Sequence, residues 1–131
     1  MAREQKKRIC LVSLPGLVQE ATITALMSLP DVTLVGTFSG ALSATALLPD
    51  LQPDLLLVDA NLPEEEVEAL LRWTKKHTPG LACVVMTMTS QQRDLALSWG
   101  ADAAIQRARL FGQLETTLSQ LPSTHVRDVP M

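Results

Sequence analysis

Asp59 is the residue in this sequence that is best placed to do chemistry. It follows an apolar run, Leu55–Val58, whose continuity predicts a strand buried on both faces. A lone carboxylate is costly to bury unless it is paired or stays at a wet edge. Asp59 is therefore expected to end its strand at a functional rim, where an aspartate could act as a nucleophile or hold a cation.

Three further polar residues are expected to reach the same rim. Ser13, Thr87 and Arg107 each lie at the end of a separate apolar segment that resembles a strand. Ligands of an open parallel sheet bind beyond the carboxyl ends of its strands. These side chains should therefore approach Asp59 although they are far from it in sequence.

The chain alternates five apolar segments with five helical patterns. The predicted strands are Arg8–Ser13, Val32–Phe38, Leu55–Asp59, Ala82–Thr87 and Ala103–Gln106. The predicted helices are Leu17–Leu29, Gly40–Leu48, Glu64–Thr78, Ser90–Trp99 and Leu110–Leu121. Strict alternation with apolar strands predicts an α/β domain, in which helices cover both faces of a parallel sheet.

Helix boundaries follow from proline, glycine and charge. Pro49 is expected to end the second helix, because proline cannot continue one. Ser90 is expected to cap the fourth helix, and Gly100 to end it. The third helix is the clearest, with the acids Glu64–Glu66 at its positive end and the bases Lys75–His77 at its negative end.

Composition limits the classes of function. The 131 residues, at 14.2 kDa, predict one domain at 9–121, with a polar lead-in at 1–8 and a tail or the start of a linker at 122–131. A net charge of −3 argues against direct nucleic-acid binding, and the basic cluster Arg3–Arg8 is expected to be a solvated lead-in. No apolar run reaches the roughly 20 residues that span a bilayer, and no signal peptide is evident, so a cytoplasmic protein without membrane contact is expected.

Several reactive residues are expected to be structural. Cys10 and Cys83 lie within apolar strands, which predicts buried free thiols. His77 and His125 lack a second ligand at metal spacing and are expected to be solvated. Trp99 is expected either to pack on the helix that it ends or to contribute to an interaction face.

Three phrases, PDLLLVDANLP, VVMTMTS and GADAAIQRA, resemble response-regulator receiver domains in their order and spacing, over about residues 8–121. A fourth phrase, DVTLVGTFSGALSA, is similar to receivers that precede a helix-turn-helix output domain. The resemblance implies a three-layer, flavodoxin-like (βα)5 sandwich with strand order 2-1-3-4-5. It also implies a role in two-component phosphorelay signalling.

The resemblance implies roles for the rim residues. Asp59 matches the aspartate that accepts a phosphoryl group from a histidine kinase. Thr87 matches the threonine that contacts the phosphoryl oxygens, and Arg107 matches a lysine that pairs with the phosphate. In the family, Mg²⁺ is held by two acids after the first strand, by the aspartate, and by a backbone carbonyl that here belongs to Asn61.

This sequence departs from that pattern at four positions. Ser13 and Leu14 replace the acidic pair, so Mg²⁺ is expected to bind weakly or not at all. Arg107 replaces the lysine; its guanidinium is not interchangeable with an ammonium and is expected to pair with Asp59. Ala104 replaces the aromatic residue that normally couples to the threonine.

Two principal functions remain open. One is an atypical receiver with weak or absent Mg²⁺-dependent phosphorylation at Asp59. The other is a phosphorylation-independent pseudo-receiver that acts through protein contacts or dimerisation. Neither is expected to be an enzyme; at most, the chain would transfer a phosphoryl group from a histidine kinase to itself. The expected partners are a histidine kinase or another signalling protein, with a possible homodimer through the face of the fourth helix, fifth strand and fifth helix. A weaker third hypothesis, a flavodoxin-like small-ligand binder, lacks a glycine-rich phosphate loop.

Overall fold

Apolar segments and helices alternate along the chain as the pattern predicts. The computed structural model describes residues 6–110, 112–113 and 116–117. Its strands are β1 (Lys7–Val12), β2 (Val32–Phe38), β3 (Leu55–Asp59), β4 (Ala82–Thr87) and β5 (Ala103–Gln106). Its helices are α1 (Leu17–Met27), α2 (Ala41–Leu51), α3 (Glu64–His77) and α4 (Ser90–Ser98), and a 3₁₀ turn, Arg107–Arg109, follows β5.

The five strands form one parallel sheet in the order β2-β1-β3-β4-β5, which confirms the predicted fold class and topology. β3 lies at the centre and is buried along its whole length. The register places Asp59 beside Met86 and places Thr87 beside Gln106. The carboxyl ends of β3, β4 and β5 therefore meet at one rim.

Hydrophobic residues pack on both faces of the sheet, which explains the unbroken apolar runs of the central strands. Leu56 and Val58 of β3 join one core cluster, which includes Leu70 of α3. Leu55 and Leu57 point to the opposite face, where they join a second cluster with Leu26 of α1 and Leu110. Each fully buried leucine stabilises the fold by about 1.5–3 kcal/mol, so the two clusters hold the rim in place.

The expectation that α2 ends at Pro49 was wrong. The helix includes Pro49 and continues to Leu51. Proline removes one N–H, but Pro49 is exposed and lies in the last turn, where the loss of one hydrogen bond is tolerated. The helix ends instead at Gln52, whose left-handed backbone (φ 49°) lets its N–H donate to the Leu48 carbonyl at 3.0 Å.

Other boundaries differ by one or two residues. β1 spans Lys7–Val12, so Ser13 lies immediately beyond the strand, although its N–H still donates to the Phe38 carbonyl at 2.9 Å. The cap of α4 is Thr89 rather than Ser90, because the Thr89 hydroxyl accepts the Gln92 N–H at 3.0 Å. Helices α1 and α3 end at Met27 and His77, slightly before the predicted positions. Gly100 follows α4 with φ 111°, as the stop signal predicts.

The fifth predicted helix, Leu110–Leu121, is described only in part. Positions 110, 112, 113, 116 and 117 are helical. The remainder of that segment, the tail at 122–131 with His125, and residues 1–5 of the lead-in lie outside the described residues. In the part of the chain that is described, no helix is both long enough and apolar enough to cross a membrane.

Candidate functional site

The centre of the rim is the carboxylate of Asp59. Because β3 is the middle strand, its last residue has neighbouring strands on both sides, and Asp59 is only 2% exposed. The chain turns immediately afterwards, and the Ala60 N–H donates to the Met86 carbonyl at 2.9 Å. A carboxylate buried to this degree needs compensation by charge or by hydrogen bonds.

Arg107 supplies that compensation. It is the first residue of the 3₁₀ turn after β5, and its Nη2 donates to Asp59 Oδ1 in an ion pair. The arginine side chain is 22% exposed, so the pair lies at the edge of the interior. The pairing expected from the sequence is therefore present, and it satisfies the buried carboxylate without any other cation.

Hydrogen bonds from the neighbouring loops complete the surroundings of the carboxylate. The Asn61 N–H donates to Asp59 Oδ1 at 3.0 Å. On the other oxygen, the buried Ser13 hydroxyl donates to Asp59 Oδ2 over a long 3.4 Å, and it also lies 3.3 Å from the Leu14 carbonyl. Oδ1 is thus firmly held, while Oδ2 has the weaker contact.

The residues at this rim do not fit a Mg²⁺ ion. Mg²⁺ requires near-octahedral oxygen ligands and favours several negative charges. Here the side chain of Leu14 is apolar and partly exposed, and Ser13 offers only a neutral hydroxyl. The carboxylate of Asp59 is already paired with a guanidinium. Across residues 6–110, 112–113 and 116–117, no group of three or more His, Cys, Asp or Glu side chains could hold a metal.

Thr87 and Ala104 lie near the ion pair but do not join it. Thr87 is buried at the end of β4, one residue beyond the partner of Asp59 in the sheet. Among the described contacts, no hydrogen bond links its side chain to Asp59 or Arg107. Ala104 is half-buried in β5 beside Val85. Its side chain is only a methyl group, so this position has no aromatic ring that could couple with Thr87.

Sequence reasoning missed Met88, which follows β4 directly. Its Sδ accepts a hydrogen bond from Arg107 Nη1 at 3.1 Å, so one guanidinium contacts both Met88 and Asp59. The Met88 N–H donates to Gln92 Oε1 at 2.7 Å, and Gln92 Nε2 reaches the Ala60 carbonyl at 3.5 Å. A methionine after a strand carries no sequence signal for such a contact, because a thioether is only a weak acceptor.

The thiols predicted to be structural are buried and protonated. Cys10 and Cys83 are free and belong to the same core cluster. Burial raises the pKa of each thiol to about 11. The Thr74 hydroxyl lies 3.2 Å from the Cys83 sulfur and partly offsets that rise. Neither thiol is a reactive nucleophile near neutral pH.

The remaining candidate residues support helix packing. Glu66 Oε1 accepts the Ala41 N–H at 3.0 Å and so joins the start of α3 to the start of α2. His77 is exposed at the end of α3, and its ring stacks on Trp73 with centroids 4.8 Å apart. Trp99 is half-buried and packs against the core cluster beneath α4.

Comparisons with known proteins support the same fold. No family model matches the chain. A protein-glutamate methylesterase/protein-glutamine glutaminase 2 of Cereibacter sphaeroides is 29% identical over 96 residues, which are 73% of this chain and 26% of that protein. A probable C4-dicarboxylate response regulator, DctR of Halalkalibacterium halodurans, is 23% identical over 122 residues, which are 92% of this chain and 53% of that protein. The chain thus spans about a quarter of the length of the methylesterase and about half of the length of the response regulator.

Solved receiver domains superpose closely. The response-regulator domain of Thermotoga maritima CheB gives a TM-score of 0.78 at 18% identity, covering 93% of this chain and 98% of that one. The non-phosphorylated receiver domain of RcsB from Escherichia coli gives 0.76 at 19% identity, covering 88% and 92%. The resemblance to receiver domains is confirmed at the level of the fold.

Proposed function

We propose that this chain is a signalling module with a receiver fold and belongs to a two-component response regulator. In this module the Asp59–Arg107 ion pair occupies the carboxylate that would otherwise accept a phosphoryl group with the help of a metal. The ion pair on a carboxylate that is 2% exposed carries this proposal. The module acts through protein contacts and carries out no catalysis of its own.

The charge at the rim argues against efficient phosphorylation. A phosphoryl group arriving at Asp59 brings negative charge, which receivers offset with Mg²⁺ and a lysine. Here the acidic pair that would recruit the metal is replaced by Ser13 and Leu14, and the Arg107 guanidinium is already paired with the carboxylate. For Asp59 to attack a phosphoryl group, Arg107 would have to move away from it. This would leave the buried Asp59 charge unpaired, which is unfavourable.

A phospho-accepting receiver is the second candidate, and one observation favours it. Within the described residues, the buried Nε of Arg107 has no hydrogen-bond partner. Guanidinium groups bind phosphate well, so this N–H could contact a phosphoryl oxygen. Under this alternative Arg107 turns from Asp59 to the phosphate, and Thr87 supplies a hydroxyl at the same rim.

The proposed partners are a histidine kinase or another signalling protein, and a second copy of the chain. Dimerisation is proposed for the face that includes α4 and β5, next to the half-buried Trp99. The methylesterase activity named for one relative belongs to that protein, since only 26% of it is aligned here. No such activity is proposed for this chain.

Intact-mass spectrometry after incubation with acetyl phosphate and millimolar Mg²⁺ separates the two candidates. We expect the wild-type chain to show no phosphoryl adduct. The matched control is a triple variant, Ser13→Asp with Leu14→Asp and Arg107→Lys, which restores the family pattern and should gain a Mg²⁺-dependent adduct. A Mg²⁺-dependent adduct on the wild type that disappears in Asp59→Asn would reject the proposal in favour of the second candidate.

A further inference from the structure

The β4–α4 loop links the ion pair to α4 through Met88. The backbone of this residue is held by Gln92, whose Oε1 accepts the Met88 N–H at 2.7 Å. Its side chain extends to Arg107, and the sulfur accepts from Nη1 at 3.1 Å. The contacts of Met88 therefore join the cation that holds Asp59 to the first turn of α4.

The Met88 thioether is both accessible and chemically sensitive. Met88 is 60% exposed, so small oxidants in solution can reach its sulfur. Thioethers are oxidised to sulfoxides, which changes a weakly accepting, apolar group into a strongly polar one. Met27 on α1 is 70% exposed, and Met86 is fully buried in β4. The chain thus contains an exposed methionine away from Arg107 and a protected methionine beside Met88.

We propose that Met88 is a site of reversible oxidation, at which a hydroperoxide converts the thioether into a sulfoxide that holds Arg107 more firmly on Asp59. The inference rests on the proposed function, in which the Asp59–Arg107 pair takes the place of phosphorylation at the rim and the module acts through protein contacts. It adds a regulatory input to that same site.

The chemistry balances with a two-electron oxidant. A sulfur lone pair attacks one peroxide oxygen, the S–O bond forms, and the O–O bond breaks. The departing oxygen takes a proton and leaves as water or an alcohol, so sulfur is oxidised and the peroxide is reduced. The reverse step uses two thiols, which become a disulfide while the sulfoxide oxygen leaves as water.

The direction of the effect follows from the acceptor. A thioether sulfur is only a weak acceptor, whereas a sulfoxide oxygen carries substantial negative charge and accepts strongly from the same guanidinium. The side chain of Met88 is exposed and flexible, so the sulfur can retreat to place the new oxygen against Arg107 Nη1. Nη2 stays on Asp59, because the two contacts use different nitrogens.

Mild treatment of the full chain with hydrogen peroxide tests the proposal. Peptide mapping identifies the dose at which Met27 and Met88 are oxidised and Met86 is intact. We expect the melting temperature to rise by about 1–4 °C, as an added polar contact at an exposed site would produce. Amide exchange over residues 88–92 should slow by about 2- to 5-fold, and dithiothreitol with a methionine sulfoxide reductase should reverse both changes.

Matched variants assign the effect. Met27→Leu should keep the full response, whereas Met88→Leu and Arg107→Gln should each lose it. A response that survives Met88→Leu, or oxidation of Met88 that leaves the melting temperature unchanged or lowers it, would overturn the proposal. The readout needs no phosphodonor, so it is independent of the adduct assay: a phosphorylated Asp59 would reject the proposed function and leave this result standing.

Discussion

The two ends of β3 hold buried carboxylates in different ways. Asp54 immediately precedes the strand and is 6% exposed; its Oδ2 accepts the Arg8 N–H at 2.8 Å, while its own N–H donates to the Arg8 carbonyl at 2.7 Å. Asp59 ends the strand and is held at Oδ1 by a side chain, that of Arg107. Asp54 thus links the backbones of β1 and β3, whereas Asp59 is paired with the charged side chain of Arg107.

Asp102, also at the amino end of the sheet, binds a neighbouring strand in the same way as Asp54. It precedes β5, and its Oδ2 accepts the Cys83 N–H at 2.8 Å at the start of β4. Its Oδ1 also pairs with Lys75 Nζ at 3.2 Å, and the two side chains are 28% and 40% exposed, so solvent reaches both members of the pair. Carboxylates at the amino end of the sheet therefore stabilise strand pairing. At the carboxyl end, the chemistry of Asp59 depends on its pairing with Arg107.

Removing the cation from the carboxyl end should have the largest effect. We expect Arg107→Met to lower the free energy of unfolding by about 2–4 kcal/mol, because it leaves the buried Asp59 charge unpaired. Urea denaturation measures the loss. In the double variant with Asp59→Asn, most of that stability should return; a loss equal to the sum of the two single losses would show that the pair does not couple.

Alkaline pH should lower stability through the two thiols of the core, and not through the carboxylates at either end of β3. The pKa of each thiol, Cys10 and Cys83, is raised from 9.0 to about 11, so the folded chain keeps protons that the unfolded chain releases. Stability should be independent of these thiols below pH 9 and should fall by about 2 kcal/mol per thiol as pH rises to 11. Urea denaturation across this range measures the fall, and Cys83→Ala should roughly halve the part that the two thiols cause; a fall in Cys83→Ala equal to that of the wild type would contradict this account. Comparisons of the two ends of β3 are cleanest below pH 9.

Removing the acceptor at the amino end should have a smaller effect. We expect Asp54→Ala to lower the free energy of unfolding by about 1–2 kcal/mol, because the part-buried Arg8 N–H loses its acceptor. The matched variant Asp54→Asn keeps an oxygen and should lose less, as measured by urea denaturation. Equal losses for the alanine and asparagine variants would mean that the charge of Asp54, rather than its acceptor oxygen, stabilises this end.

The exposed pair at Asp102 should matter least. Lys75→Met is expected to change the free energy of unfolding by less than about 1 kcal/mol, because solvent screens the charges. Thermal denaturation at low and high salt checks this, and little salt dependence is expected for the difference. A loss as large as that of Arg107→Met would remove the contrast between exposed and buried pairs.

The sequence predicted the sheet well because its strands are buried on both faces. The bounds of β2, β3, β4 and β5 match the prediction, since continuous apolar runs leave little ambiguity about strand limits. The approach of Asp59 and Arg107 was also predictable, because parallel strands bring their carboxyl ends to one edge.

What could not be predicted depends on local backbone and side-chain geometry. Helix α2 continues past Pro49 and ends where Gln52 adopts a left-handed conformation, and neither residue type indicates this from the sequence. The capping of α4 by Thr89 depends on which of two adjacent hydroxyls faces the helix. The Met88–Arg107 contact joins two flexible side chains from different loops, so no periodic pattern encodes it.

A crystal structure grown with millimolar Mg²⁺ and beryllofluoride, a phosphoryl mimic, tests the central claim most directly. The account predicts that Arg107 still pairs with Asp59 and that neither the metal nor the mimic is bound at the rim. An octahedral Mg²⁺ beside a modified Asp59, with Arg107 turned away from the carboxylate, would contradict it.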